Sequence, residues 1–236
     1  MRTSKTIGVC FLLLIFSAVG AQAGTITGHI KYEGEVPNLR PIKMEADPIC
    51  LTHHTSEVLP EILVLGDNKE LANVFVYVKS GLPKKDYPVP AEPLHITQKG
   101  CQYSPHVVGV LKGQEVKIDN PDGTLHNVHA LSKVNPEFNI AMPKFRKEIS
   151  HVFEKEEFMF PLKCDVHPWM GAWVSVMAHP YFSVTDTTGT YTIDGLPAGE
   201  YEIEAWHEKM GKQTAKITVG ETDTQEADFT FSKPGK

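Results

Sequence analysis

Cys164-Asp165-Val166-His167-Pro168-Trp169-Met170 sets a thiol, an imidazole and a thioether three residues apart in turn. A soft thiolate, an imidazole and a weak thioether suit copper, which cycles between Cu(I) and Cu(II), rather than a hard cation. One loop can supply all three donors only by curling around the ion, anchored by the strand that ends at Cys164. Another strong donor must then come from elsewhere. Asp122-Gly123-Thr124-Leu125-His126-Asn127-Val128 offers one, His126, at the junction of a turn and a strand. Two imidazoles, a thiolate and a weak axial Met hold a single copper ion for one-electron chemistry. The plainer alternative makes Cys164 a small core residue and Trp169 and Met170 packing. Four suitable residue types in two suitable contexts weigh against it.

Several rivals stay open. Met142, Met159 and Met177 compete with Met170 for the axial position. His129 follows His126 by three residues, so on a strand it faces the opposite side. It is either a core or rim histidine or part of a second copper-loading site. A binuclear copper centre requires two cysteines in the loop, and there is one. Structural zinc requires several thiolates or a closed set of donors stronger than Met. Multicopper oxidases require several paired histidine motifs, and only His126/His129 comes close. The chain offers no nucleophile–base pair and no open-site zinc motif, so an enzyme is not expected.

The elements that must position these donors read as β-structure. Short runs of β-branched and aromatic residues recur between Gly, Pro, Asn and Asp. Thr25 to Tyr32 is one. Leu71 to Lys79 is another, with Val74, Val76 and Val78 on one face and Phe75 and Tyr77 on the other. Leu82 to Pro93 carries four prolines and reads as an extended connector. Further strands are expected at Val107–Val110, Glu115–Asp119, Val128–Leu131, His151–Phe153, Phe158–Cys164 and Trp173–Met177. Later runs at Phe182–Val184, Thr190–Ile193 and Tyr201–Trp206 are separated by Thr187-Thr188-Gly189, Asp194-Gly195 and Pro197-Ala198-Gly199, which is hairpin chemistry. The fold class is all-β. Between Asn135 and Ser150 the pattern leaves a long loop and a short helical excursion equally open.

The first residues read as an address. Arg2 and Lys5 precede an apolar run from Ile7 to Ala18, and Ala21-Gln22-Ala23 gives the small-x-small pattern of a cleaved export signal. That run is too short to cross a bilayer as a stable helix. A mature chain from Gly24 is expected to be periplasmic or secreted, with no membrane span. Without the leader, 21 basic residues face 29 acidic ones, a charge of about −8. That balance, with no basic run interleaved with aromatics, argues against nucleic acid as a partner. Cys50, Cys101 and Cys164 remain. In an oxidising compartment two pair and one is left over. The simple assignment is a Cys50–Cys101 disulfide. The rival uses Cys50-x-x-His53-His54 as an accessory metal site.

From about Tyr103 to Met177 the chain resembles the plastocyanin/amicyanin type of cupredoxin. The resemblance rests on Ser104-Pro105, Gly113-Gln114-Glu115-Val116, Asn120-Pro121-Asp122, His126-Asn127-Val128 and the Cys164-x-x-His167-x-x-Met170 spacing. It implies a Greek-key sandwich or barrel with one type 1 (blue) copper held by His126, Cys164, His167 and Met170. It further implies that Asn127 hydrogen-bonds the ligand loop, and that a redox partner, a cytochrome or dehydrogenase, docks on an apolar patch around His167, Trp169 and Trp173. The stretch from Phe182 through Pro197-Ala198-Gly199 to Tyr201 resembles the second half of a carboxypeptidase regulatory-like β-sandwich, and Gly24 to Gly34 with Ala72 to Val78 fit the first half. The expected organisation is a leader over 1–23, a discontinuous sandwich over 24–92 and 181–236, and a cupredoxin over 93–180 inserted between its strands. The two-part layout also resembles proteins labelled methylamine-utilisation proteins. The expected function is exported electron transfer. The alternative is a copper-binding or delivery protein without an electron-transfer role, which His53, His54, His129 and Met142 favour.

Overall fold

The computed structural model describes residues 23–233. The expected export signal, up to Gln22, lies outside the described residues. The described chain is all-β, with sixteen strands and one short helix.

Strand β1 (Gly24–Glu33) alternates buried and open positions along its whole length, turning Ile26, Ile30 and Tyr32 inward. This is the period-2 geometry of a sheet with one wet face. It pairs antiparallel with β12 (Thr190–Leu196) and parallel with β15 (Thr224–Glu226) and β16 (Phe229–Ser232). The facing sheet runs β11 (Phe182–Val184), β2 (Phe75–Ser80), β13 (Gly199–His207), β14 (Gly211–Val219). Ile26, Val76, Tyr191, Ile203 and Phe231 share the core between the two sheets. Both ends of the described residues therefore build one terminal sandwich.

A central sandwich lies between them in sequence. Its larger sheet runs β4 (Val107–Leu111), β10 (Gly171–Met177), β9 (Glu157–Lys163), β6 (His126–Ala130), β7 (Phe138–Met142). Its smaller sheet runs β3 (Leu94–Thr97), β5 (Glu115–Asp119), β8 (Glu148–Val152). Val110, Val116, Val128, Phe160 and Val174 fill the space between. The stretch left open in the sequence, 135–150, holds β7 and the start of β8. In β7 Phe138, Ile140 and Met142 alternate with Asn139 and Ala141, between Pro136 and Pro143.

β2 works on two faces. Val76 and Val78 enter the terminal core, while Phe75 and Tyr77 join a third cluster with Val107, Leu111, Trp173, Met177 and Trp206. That cluster fastens the two sandwiches together.

One segment departs from the expected organisation. Met44 and Cys50 are buried in the central core, with Ile42 and Val58 packed against it. Part of the stretch assigned to the terminal sandwich (24–92) thus covers one end of the central one. Helix α1 (Pro48–Thr52) is capped by Asp47, whose carboxylate accepts from Ile49 N at 3.0 Å. Cys50 within it is disulfide-bonded to Cys101, with Cα atoms 5.5 Å apart.

Candidate metal centre

The turn before β6 is held by Asn120, whose Nδ2 donates to Thr124 O (3.1 Å) and Met142 O (2.8 Å). Asp122 in that turn is buried, and its carboxylate accepts from Gly100 N (2.9 Å) and Cys101 N (2.8 Å). β6 therefore starts at His126 with a fixed direction. The second half comes from the loop between β9 and β10. It closes on itself, Met170 N donating to His167 O (2.9 Å) and Cys164 N to Met170 O (3.3 Å). Asn127 links the halves: its Oδ1 accepts from Asp165 N (2.6 Å) and Val166 N (3.3 Å).

These supports bring three donors to one point. His126 Nδ1 lies 3.0 Å from His167 Nδ1, and Cys164 Sγ lies 3.8 Å from His167 Nδ1. The donor atoms of all three residues fall within 4.8 Å of one another, and all three are at most 2% exposed. The far nitrogens face carboxylates: His126 Nε2 is 3.0 Å from Asp122 Oδ2 and His167 Nε2 is 3.1 Å from Asp47 Oδ2. A carboxylate that accepts a hydrogen bond from Nε2–H fixes the tautomer and leaves the Nδ1 lone pair free as a ligand. A soft sulfur flanked by two such imidazoles fits copper.

Cys164 and His167 are eased toward their metal-binding forms, while at His126 a proton competes with a metal. Burial opposes protonation of His126, yet its hydrogen bonds to Asp122 and Cys164 and their charges outweigh it and raise its pKa to about 8. Burial raises the Cys164 thiol, but the hydrogen bond with His126 and those from the Asn127, His167 and Val166 amides bring it below its ordinary value. His167 is lowered, first by burial and further by the neighbouring His126, against the pull of Asp47.

The remaining candidates separate by position. Met170 is buried in the cluster that contains Cys164. Met142 lies in that cluster too, opposite His126 in the β6–β7 register. Met159 and Met177 belong to the cluster between the sandwiches. His129 points to the other face of β6, between Asp165 Oδ2 (3.0 Å) and Glu137 Oε1 (2.9 Å). His53 Nε2 is 3.5 Å from Asp122 Oδ1, and His54 Nε2 is 2.7 Å from Gly100 O.

The expected docking edge is corrected. His167 is 2% exposed, because Asp47 and Cys50 lie over its outer nitrogen, Cys50 Sγ at 3.6 Å from Nε2. Trp173 stacks edge-on against Trp206 of the terminal sandwich, with ring centroids 5.4 Å apart. With Trp169 it lines a cavity of about 170 Å³ beside His106 and Glu208. Of the patch expected around His167, Trp169 and Trp173, His167 is buried, while Trp169 and Trp173 are half-buried and Pro168 is exposed. Sequence reasoning missed Asp47, a residue with no local signal beyond its helix-capping position.

Residues 167–232 match the carboxypeptidase regulatory-like domain. The match opens in the loop between β9 and β10 and takes in β10 before covering β11 to β16. Among solved structures, the chain is similar to a purple cupredoxin from Nitrosopumilus maritimus, at 24% identity and a TM-score of 0.31, over 36% of this chain and 99% of that one. It is similar to an oxidized amicyanin variant at 21% identity and a TM-score of 0.33, over 43% and 98%. A copper-containing nitrite reductase from Thermus scotoductus SA-01 aligns at 17% identity and a TM-score of 0.32, over 42% of this chain but a quarter (25%) of that one. No curated protein matches the chain. Among the described residues no helix is long and apolar enough to cross a membrane.

Proposed function

We propose that this chain is an exported type 1 copper protein that carries single electrons. The single observation behind this reading is the convergence of His126 Nδ1, Cys164 Sγ and His167 Nδ1 in one buried pocket. These three would be the strong ligands of one copper ion, with Met170 the weak axial one, and Met142 its rival. Bound there, copper would supply reversible one-electron chemistry. The protein's part is to hold the donors still. Asn127 ties the loop to β6, and Asp122 and Asp47 fix the two rings, so that the ligands keep their places in both oxidation states. In this reading residues 93–180 form the copper-binding cupredoxin, and 24–92 with 181–236 the regulatory-like sandwich, less the cover over His167. The sandwich is assigned no chemistry, and no catalytic reaction is assigned to the chain. The partner is an exported cytochrome or dehydrogenase.

The cover over His167 favours a second reading, copper binding and delivery without electron transfer, because it closes the ligand edge through which electrons would leave. Voltammetry of the copper-loaded protein with a chelator challenge separates the two. A reversible couple with retained copper supports the carrier. Rapid loss of Cu(I) to the chelator with no reversible couple supports delivery.

A further inference from the structure

The two histidines present different neighbours on their two sides. Their Nδ1 atoms face Cys164, and their Nε2 atoms face the segment clipped by the Cys50–Cys101 disulfide. There Cys50 Sγ is 3.6 Å from His167 Nε2. The donor atoms of Cys50, Cys101 and His167 fall within 4.8 Å of one another, and so do those of Cys101, Asp122 and His126. All of these residues are buried. Cys50 belongs to α1, a five-residue helix followed directly by His53 and His54.

We propose that Cys50 and Cys101, once reduced, form a second soft-metal site for Cu(I), back to back with the Cys164 site across the His167 ring. The proposal rests on the copper reading only for the first site. A dithiol reductant opens the disulfide by giving two electrons and two protons; Cys50 and Cys101 become thiols and the reductant becomes a cyclic disulfide. When Cu(I) binds, both thiol protons leave to solvent and copper stays Cu(I). Two thiolates suit that ion. The His167 ring stands between Sγ of Cys164, 3.8 Å from its Nδ1, and Sγ of Cys50, 3.6 Å from its Nε2. The disulfide is thus a reductant-operated gate on how much copper the chain holds.

Anaerobic titration of the full chain with Cu(I) against a colorimetric chelator tests this, on oxidised protein and on dithiol-reduced protein freed of reductant. One ion per oxidised chain and two per reduced chain are expected. A Cys50→Ser/Cys101→Ser variant should take one whether or not it is treated. Cys164→Ser, which keeps the disulfide, should take none oxidised and one reduced. Equal uptake by oxidised and reduced wild type overturns the proposal, as does no uptake by reduced Cys164→Ser. A second ion that binds only after the near-ultraviolet circular dichroism is lost overturns it as well. Oxidised wild type that binds none while the reduced form binds one would defeat the type 1 reading and leave this site standing.

Discussion

The Asp47 carboxylate lies 3.1 Å from His167 Nε2 across 120 residues of sequence. The same side chain caps α1 and accepts from Thr124 Oγ1 at 2.7 Å, two residues before His126. One carboxylate therefore ties the cover to both halves of the metal pocket. Asp47→Ala should weaken copper binding about 10- to 100-fold, the range for losing a partner that orients a metal-bound histidine. Asp47→Asn keeps the cap but not the charge and should lie between. Chelator-competition titration reads the effect; equal affinity in Asp47→Ala and wild type would refute it.

Asn127→Ala removes the acceptor of the Asp165 and Val166 amides, 2.6 and 3.3 Å away. Leaving part-buried donors unpaired costs about 1–3 kcal/mol. Urea unfolding of the metal-free variant should show that loss, and its copper affinity should fall with it. Full stability in urea would mean the loop is held by other contacts.

The Cys50–Cys101 bond closes a loop of 51 residues. The chain-entropy relation gives about 4 kcal/mol for a loop of that size. Replacing both cysteines by serine should lower the denaturation midpoint by the corresponding amount. A change under about 1 kcal/mol would show that α1 is held by packing alone.

Glu157, 8% exposed, accepts hydrogen bonds from Ser132 Oγ, Lys133 N, Asn135 N and Asn135 Nδ2. Burial alone would raise its pKa, but these donors lower it from 4.5 to about 2. A carboxyl lowered on folding stabilises fully above its unfolded value, and that gain is lost as the pH falls from about 4.5 to about 2. Glu157→Gln should cost about 2 kcal/mol at neutral pH. The gap to wild type should close over that acid range. A gap independent of pH would assign the loss to shape rather than charge.

What the sequence disclosed, and what it hid, follows from distance along the chain. Cys164, His167 and Met170 are neighbours on one loop, so their spacing carries the chemistry in full. His126 was legible through its turn and the Asn that follows. The two faces of β2 were legible because Val74-Phe75-Val76-Tyr77-Val78 alternates without a break. Asp47 was not, because its tie to His167 exists only after 120 residues have folded back. The burial of His167 was hidden for the same reason, so the ligand edge read as an exposed patch. β7 was hidden because five residues between prolines give too few alternations to separate a strand from a loop.

Everything in the proposed function depends on Cys164 binding copper together with His126 and His167. Absorption and EPR spectra of the Cu(II)-loaded protein beside Cys164→Ser test it most directly. Wild type should show an intense visible thiolate-to-copper band and narrow copper hyperfine splitting, both absent from the serine variant. A colourless wild type, or a visible band that survives in Cys164→Ser, would contradict it.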